Sequence, residues 1–255
     1  MSVRIGIQGL AASYSDAALL QTAGHATKVF CDSFSDAFAA LAAGKIDKAF
    51  LPFENSTSGF IAENYQLLQA SGYYITDEYL HRVEHCLLGP IGSRLSDIKV
   101  VISHPQALAQ CSRFLKDHGL RTEPYFDTAG AARDISQMPG RAAVASMRAS
   151  QLYNLEVLMQ NINDEAVNWT RFLTIEKKLS WSKRAIFSAT AADFQGLMAD
   201  VSQYRFINLL SQPMATEVWG HRYYIELASD NPAVWKDLMT KHKGLTVLGS
   251  FDAKR

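Results

Sequence analysis

Short β-rich runs alternate with helix-capping patterns through the first two thirds of the chain, and this order is the strongest constraint on its fold. Val3 to Gln8 is β-rich, and Ser13 with Asp16 then forms a capping-box pattern ahead of an apolar run. The same order recurs over residues 28–42 and 98–118. Such alternation predicts an α/β fold with largely parallel strands that are covered by helices on both faces.

The pattern changes near residue 180. After a polar, lysine-rich linker at residues 176–182, the order of signals becomes β-α-β-β-α-β, which is typical of a ferredoxin-like domain. The predicted elements are strands at 184–189, 206–210, 222–228 and 245–251 and helices at 194–203 and 231–241. We therefore predict two domains, a larger one over residues 1–178 and a smaller one over residues 183–255.

Composition argues against several classes of protein. The 255 residues carry no formal net charge, which argues against non-specific binding of nucleic acid, and no apolar run is long enough for a membrane span. Cys31, Cys86 and Cys111 form no CxxC pair, so buried free thiols in a reducing compartment are expected. Since the N-terminus has no signal or transit pattern, we predict a cytoplasmic protein that binds neither nucleic acid nor membranes.

Polar segments follow several predicted strands, at the sheet edge where ligands bind in open α/β folds. Helices begin there, and the free N–H groups of their first turns favour anions such as carboxylates. The segments are residues 9–15, 54–56, 103–106, 127–128 and 168–172. Each also has a purely structural interpretation: Ser13 and Thr128 are good helix caps, and Ser103 and His104 can close a turn. Spacing alone thus predicts an anion-binding cleft and no particular reaction.

Signatures of nucleotide, metal and hydrolase sites are missing from the sequence. Residues 6–9 are GIQG where a dinucleotide-binding chain would have GxGxxG, and no GxxxxGK[ST], HExxH or GxSxG is found. His81 and His85 are four residues apart, but in a strand this spacing separates them by about 13 Å, which is too far for one metal ion. We therefore expect no metal site.

Six segments together resemble the prephenate dehydratase family, in the family's order and along nearly the whole chain. They are GLAASYS at 9–15, PFENSTSG at 52–59, ISHPQAL at 102–108, DTA at 127–129, AVAS at 143–146 and NWTRF at 168–172. The resemblance implies a two-lobed catalytic domain like a type 2 periplasmic binding protein, with hinges near 75–80 and 160–168. It further implies a C-terminal ACT domain, no metal or organic cofactor, and a homodimer or homotetramer. No chorismate mutase segment precedes the domain, so the monofunctional form is expected.

The resemblance also implies a set of site residues. Thr170 corresponds to the threonine taken as catalytic, and it would donate a hydrogen bond to the departing ring hydroxyl of prephenate. Arg171 would support that hydroxyl or hold the pyruvyl carboxylate bidentately. The further catalytic positions are Glu54, Asn55 and Ser56, and the substrate-binding positions are Ser13, Ser103, His104, Thr128 and Phe172. Helix N-termini and hydroxyls, rather than lysines, are expected around the ring carboxylate.

Family ACT domains bind phenylalanine as an allosteric effector through two motifs. Here Gly196 and Leu197 match the first motif, while Ser211 and Gln212 stand in a second motif that lacks the family's Glu and Arg. We therefore expect weak, altered or absent inhibition by phenylalanine. The alternative for this domain is a dimerisation module without a ligand.

Three other functions fit the same segments. Arogenate dehydratase performs the same elimination on a substrate with an ammonium in place of the ketone. A prephenate decarboxylase loses CO2 without water, but its members depart from the Thr-Arg-Phe pattern that this chain keeps. A non-catalytic small-molecule sensor would use the same fold, and the intact Thr170 argues against it.

Overall fold

Two β-sheets organise the computed structural model, which describes residues 2–214 and 218–253. The strands are β1 Arg4–Gln8, β2 Thr27–Cys31, β3 Lys48–Asn55, β4 Gly59–Phe60, β5 Tyr74–Arg82, β6 Cys86–Gly89, β7 Val100–Ser103, β8 Arg121–Pro124, β9 Arg141–Ala145, β10 Glu156–Met159, β11 Trp169–Glu176, β12 Arg184–Thr190, β13 Arg205–Pro213, β14 His221–Ala228 and β15 Thr246–Phe251. The helices are α1 Tyr14–Ala23, α2 Phe34–Ala42, α3 Ala62–Ser71, α4 Pro105–Ala109, α5 Ser112–Asp117, α6 Thr128–Ile135, α7 Met147–Tyr153, α8 Ala191–Met198 and α9 Val234–Lys241. The predicted α/β fold class is confirmed.

The first lobe is built on strands in the order β5-β11-β3-β1-β2. Strands β1, β2 and β3 are parallel, as predicted, whereas β11 runs antiparallel to both β3 and β5. The expectation of a largely parallel sheet is therefore wrong for this half of it. The reason is topological, because β11 re-enters the sheet from the second lobe and not through a helical crossover within the first.

The second lobe holds a five-stranded sheet in the order β10-β6-β9-β7-β8. The chain crosses between the lobes twice, at residues 83–85 and at residues 160–168. The second crossover coincides with the predicted hinge, while residues 75–80 lie inside β5 and the first crossover follows them. The crossovers contact each other, because the Ile162 N–H donates to the His85 carbonyl and the His85 N–H donates to Asn163 Oδ1.

Helix ends follow the predictions with three departures. Ser33 and Asp36 form the predicted capping box of α2, whereas Ser13 caps α1 without the predicted box, because the Asp16 carboxylate accepts the Ala12 N–H and not the Ser13 N–H. Asp127, and not Thr128, is the N-cap of α6, because its carboxylate accepts the Gly130 N–H. The single helix expected between Pro105 and Gly119 is two short helices, α4 and α5.

The C-terminal domain has the predicted βαββαβ order, and its sheet continues that of the first lobe. Strand β15 lies beside β5, where Gly249 pairs with Ile75 in parallel register. A Cβ atom at residue 249 would overlap the Ile75 backbone, so only glycine allows this approach. The domain has its own core around Phe187 and Trp235, under α8 and α9.

Candidate active site

A cavity of about 480 Å³ lies between the two lobes, where the carboxyl ends of β1, β3 and β7 face each other. Its volume is in the range of small-molecule sites. The side chains around it come from both lobes. The lining residues are Gln8, Gly9, Ser13, Tyr14, Ser15, Phe34, Pro52, Asn55, Ser58, Ile61, Val83, His85, His104, Gln106, Ala107, Gln110, Phe126, Asp127, Thr128, Thr170 and Phe172.

The cavity holds almost no formal charge. Asp127 is the acidic member of the lining residues, and no lysine or arginine is among them. The N-termini of α1 and α6 point partial positive charge at the cavity through Ser13 to Ser15 and through Thr128. Hydroxyls, amides and helix N-termini therefore provide most of the polar groups of the site.

Thr170 lies in the cavity wall with 9% of its surface exposed. Its Oγ1 accepts a hydrogen bond from Asn55 Nδ2 at 3.0 Å. Asn55 cannot be turned round, because its Oδ1 accepts the backbone N–H groups of Thr57 and Ser58 at 3.0 and 3.1 Å. The Thr170 hydroxyl therefore receives a hydrogen bond on its oxygen and keeps its own proton for another acceptor in the cavity.

Arg171 and Glu54 lie outside the cavity, so of the two roles that the resemblance implies, lining the cleft or ordering it, they do not have the first. Successive residues of a strand point to opposite faces, so Arg171 on β11 and Glu54 on β3 face away from Thr170 and Asn55. The Arg171 guanidinium donates to Glu54 at 3.0 Å and to Glu78 at 2.8 Å. Two further bonds, of 2.8 and 2.9 Å, join it to both carboxylate oxygens of Glu226 in the C-terminal domain.

These groups form a buried ion cluster between the first lobe and the C-terminal domain. Arg184 joins it with bonds of 3.2 Å to Glu78 and 3.2 Å to Glu226. Burial by itself would lower the pKa of Arg171, but the hydrogen bond and charge of Glu226, with Glu54 and Glu78, outweigh burial and raise it. Arg171 is thus fully committed to protein carboxylates.

Two other predicted residues also serve the framework and not the cavity. The Ser103 hydroxyl is buried and donates to the Val144 carbonyl at 2.6 Å. Ser56 Oγ accepts the Trp169 N–H at 2.9 Å and extends the pairing of β3 with β11. Both side chains therefore hold strands together beside the site.

The remaining predicted residues reach the cavity. Ser13 does so while capping α1, and His104 does so while its Nδ1 accepts the Gln106 N–H at 3.2 Å. Thr128 is the first residue of α6. The Phe172 ring is stacked on Phe50 with 4.9 Å between the ring centroids, which fixes an apolar wall.

Sequence reasoning missed Tyr14, His85 and Gln110 as parts of the site. The His85 ring is bonded at Nδ1 to the Tyr14 hydroxyl at 2.7 Å and at Nε2 to Gln110 Oε1 at 2.8 Å. Burial lowers the pKa of His85, against a smaller upward effect of the Gln110 bond, and burial raises the pKa of Tyr14. The signal for Tyr14 was available, since it stands in a polar segment at a helix start. His85 and Gln110 carried no local signal.

The four residues that match the effector motifs lie in the C-terminal domain in two places. Gly196 and Leu197 are in α8, where the Leu197 side chain is in the domain core. Ser211 and Gln212 are in β13, where Ser211 Oγ bonds to His221 Nδ1 at 2.7 Å and Gln212 Oε1 accepts the Tyr224 hydroxyl at 3.0 Å. Leu197 and Gln212 are thus committed to packing within the domain.

Among residues 2–214 and 218–253, no three His, Cys, Asp or Glu side chains are grouped closely enough to hold a metal ion. Within the same residues, none of the helices has the length and apolar character needed to cross a membrane.

Comparison with protein families gives a match to the prephenate dehydratase model over residues 5–180. Arogenate dehydratase/prephenate dehydratase 1 of Arabidopsis thaliana is 42% identical over 179 residues, which are 69% of this chain and 45% of that protein. A bifunctional N-acyl-homoserine lactone acylase/prephenate dehydratase of Komagataeibacter europaeus is 38% identical over 176 residues, which are 68% of this chain and 63% of that protein. This chain thus aligns with about half the length of the plant relative.

Solved structures show the same fold over both domains. The prephenate dehydratase of Arthrobacter aurescens, in complex with L-Phe, superposes with a TM-score of 0.86 at 21% identity. The superposition covers 98% of this chain and 90% of that one. The likeness therefore includes the C-terminal domain, which the family model does not reach.

Proposed function

Because the chain belongs to the prephenate dehydratase family, we propose that it converts prephenate to phenylpyruvate, CO2 and water. The observation that carries the proposal is the Thr170 hydroxyl. It faces the cavity, and a bond from Asn55 on its oxygen leaves its proton free to meet a departing hydroxyl. A cavity of about 480 Å³ with hydroxyls and helix N-termini suits a small dicarboxylate.

The chemistry needs one proton and one polarised C–O bond. The bond between the ring and its carboxylate breaks, its electron pair completes the aromatic ring, and the C–O bond at the opposite ring carbon breaks. The oxygen leaves as water, so a proton must reach it. A threonine hydroxyl is too weak an acid to ionise fully, so Thr170 stabilises the leaving oxygen by a hydrogen bond while solvent supplies the net proton.

The assay is formation of phenylpyruvate from prephenate by the purified chain. We expect Thr170→Ala to lower kcat by about 10²-fold or more and to leave KM within a few-fold, because the lost bond matters only in the transition state. Thr170→Ser, which retains the hydroxyl, should recover most of the activity. A loss confined to KM would contradict the role of Thr170.

Arogenate is the second candidate substrate, and Asp127 is the observation that favours it. This carboxylate caps α6 and also lines the cavity, where an ammonium group would find it. Asp127→Asn keeps a good N-cap but removes the charge. If arogenate is the substrate, the variant loses kcat/KM for arogenate by about tenfold and not for prephenate. Equal effects on both substrates would exclude Asp127 as the discriminating group.

An acylase activity is a third candidate, favoured by the bifunctional relative that is 38% identical to this chain. The same preparation incubated with an N-acyl-homoserine lactone tests it by release of the free carboxylic acid. If the reaction used the same cavity, Thr170→Ala would lower it together with the dehydratase activity.

We further propose that the C-terminal domain binds phenylalanine weakly or not at all and that it joins protomers in a homodimer or homotetramer. The match of the whole fold to a dehydratase in complex with L-Phe supports an effector domain. The absence of the Glu and Arg of the second motif supports altered binding. A cytoplasmic location remains a prediction from the sequence.

A further inference from the structure

A closed ring of four side-chain hydrogen bonds lies beside Thr170. Asn55 donates to Asn168 at 2.8 Å, and Asn168 donates to Gln110 at 3.1 Å. Gln110 donates to Thr57 Oγ1 at 2.7 Å, and the Thr57 hydroxyl returns a bond to Asn55 Oδ1 at 2.7 Å. Each member donates to the next one, so the ring has a single direction.

That direction is imposed by the backbone. The N–H groups of Thr57 and Ser58 fix Asn55 Oδ1 as an acceptor, so Asn55 Nδ2 must donate to Asn168 and to Thr170. The orientation of each following amide then has one solution. Gln110 Oε1 is left as an acceptor, so His85 Nε2 carries the proton of that bond, while the Tyr14 hydroxyl lies 2.7 Å from His85 Nδ1 and 3.1 Å from the Glu84 carbonyl.

The ring closes across the cleft between the lobes. The first lobe contributes Asn55 and Thr57, and Asn168 lies where the second crossover meets this lobe. Gln110 follows α4 in the second lobe. A second bond of 2.8 Å, from Gln106 to Ser58, spans the cleft beside it. The ring therefore exists only when the lobes are together.

We propose that Gln110 and Thr57 are positioning residues, which couple closure of the lobes to the orientation of the Thr170 hydroxyl through Asn55. With the lobes apart, Thr57 and Asn168 lose their bonds to Gln110, so the two side chains that are hydrogen-bonded to Asn55 are no longer held in place. This inference rests on the proposed dehydratase function for its kinetic test. The hydrogen-bonded ring itself does not depend on that function.

The test uses Thr57→Val, which keeps the shape of an exposed side chain but removes its hydroxyl. We expect kcat to fall about tenfold, the effect of one lost positioning bond, with KM within about twofold. Thr57→Ser should restore kcat. Thr122→Val, on the exposed face of β8 in the second lobe, is the matched control and should leave both constants unchanged. Gln110→Leu should resemble Thr57→Val.

The same change in the Thr170→Ala background decides whether Thr57 acts through Thr170. Thr170→Ala removes the hydroxyl that Thr57 would position, so in this background Thr57→Val should lower kcat by under about twofold and not by about tenfold. An undiminished tenfold loss, or an effect on KM alone, would overturn the proposal.

Hydrogen exchange separates failure of this inference from failure of the proposed function. The amides of Thr57 and Ser58 should exchange faster in Thr57→Val and Gln110→Leu than in the unchanged protein and in Thr122→Val. Unaltered exchange would refute the ring, whichever substrate the enzyme takes. If the unchanged protein accepts neither prephenate nor arogenate, the function proposal fails while exchange still tests the ring.

Discussion

The ion cluster between the domains makes a prediction about Arg171 that differs from the one its sequence motif suggests. Glu226→Gln removes the charge that pairs with both Arg171 and Arg184 while keeping the shape of the side chain. Glu226 has 3% of its side chain exposed, and Arg171 has 10%, so solvent screens the pair little. If the cluster joins the domains, the variant loses stability and keeps its affinity for substrate.

The magnitude follows from the contacts. At 4 Å and an effective dielectric constant of 20, one ion pair is worth about 4 kcal/mol. Part of this is offset, because burial of Glu226 is costly and Glu78 and Glu54 repel it. The glutamine also still accepts one of the two Arg171 bonds. We therefore expect a net loss of about 2 kcal/mol, which lowers Tm by about 4–8 °C in a chain of this size.

Calorimetry and urea unfolding measure the loss, with Glu63→Gln on the exposed start of α3 as the control. Arg171→Met should cost more, about 3–5 kcal/mol, because it leaves three carboxylates with a single guanidinium. If Glu226→Gln changed stability by less than about 0.5 kcal/mol while Arg171→Met raised KM several-fold, Arg171 would be a substrate ligand and our interpretation of the cluster would be wrong.

Two further predictions concern pH and phenylalanine. Burial lowers the pKa of His85 and His81, so below about pH 6.5 the unfolded chain binds more protons than the folded one. The free energy of unfolding should therefore fall as the pH drops from about 6.5 and level off below the pKa values of the folded protein. In urea unfolding, a double variant with His85→Gln and His81→Gln should show a weaker dependence of stability on pH. Titration calorimetry with phenylalanine should show no binding tighter than about 0.1 mM, since the second effector motif lacks its charged residues; micromolar binding with loss of activity would contradict this expectation.

The sequence was a good guide to the order of elements, because capping patterns and β-rich runs are local signals. The capping box of Ser33 and Asp36 and the βαββαβ order of the C-terminal domain appear in the structure as predicted. The split of the helix after Ala109 was not predicted, since residues 106–118 contain no proline or glycine. The antiparallel entry of β11 was also missed, because strand direction depends on contacts between distant segments.

The candidate site shows the same limit at the level of single residues. Arg171 and Glu54 were assigned to the site because the family resemblance implies it for the motifs that contain Thr170 and Asn55. Adjacent residues of a strand face opposite sides of the sheet, so Arg171 faces away from the cavity that Thr170 lines, and Glu54 faces away from Asn55. Gln110 is 60 residues before Thr170 in the sequence, and only the closed arrangement of the lobes brings it to the Thr170 network. No local pattern could have revealed that partnership.

The close approach of β15 to β5 has a consequence for how this protein can diverge. Residue 249 must stay without a side chain for as long as the two domains share one sheet, whatever happens to substrate preference or effector binding. Any side chain at residue 249 would overlap Ile75 and push β15 away from β5, which would separate the first lobe from the C-terminal domain. Gly249 does not line the cavity between the lobes, so the requirement for glycine at this position comes from the shared sheet and not from the candidate site.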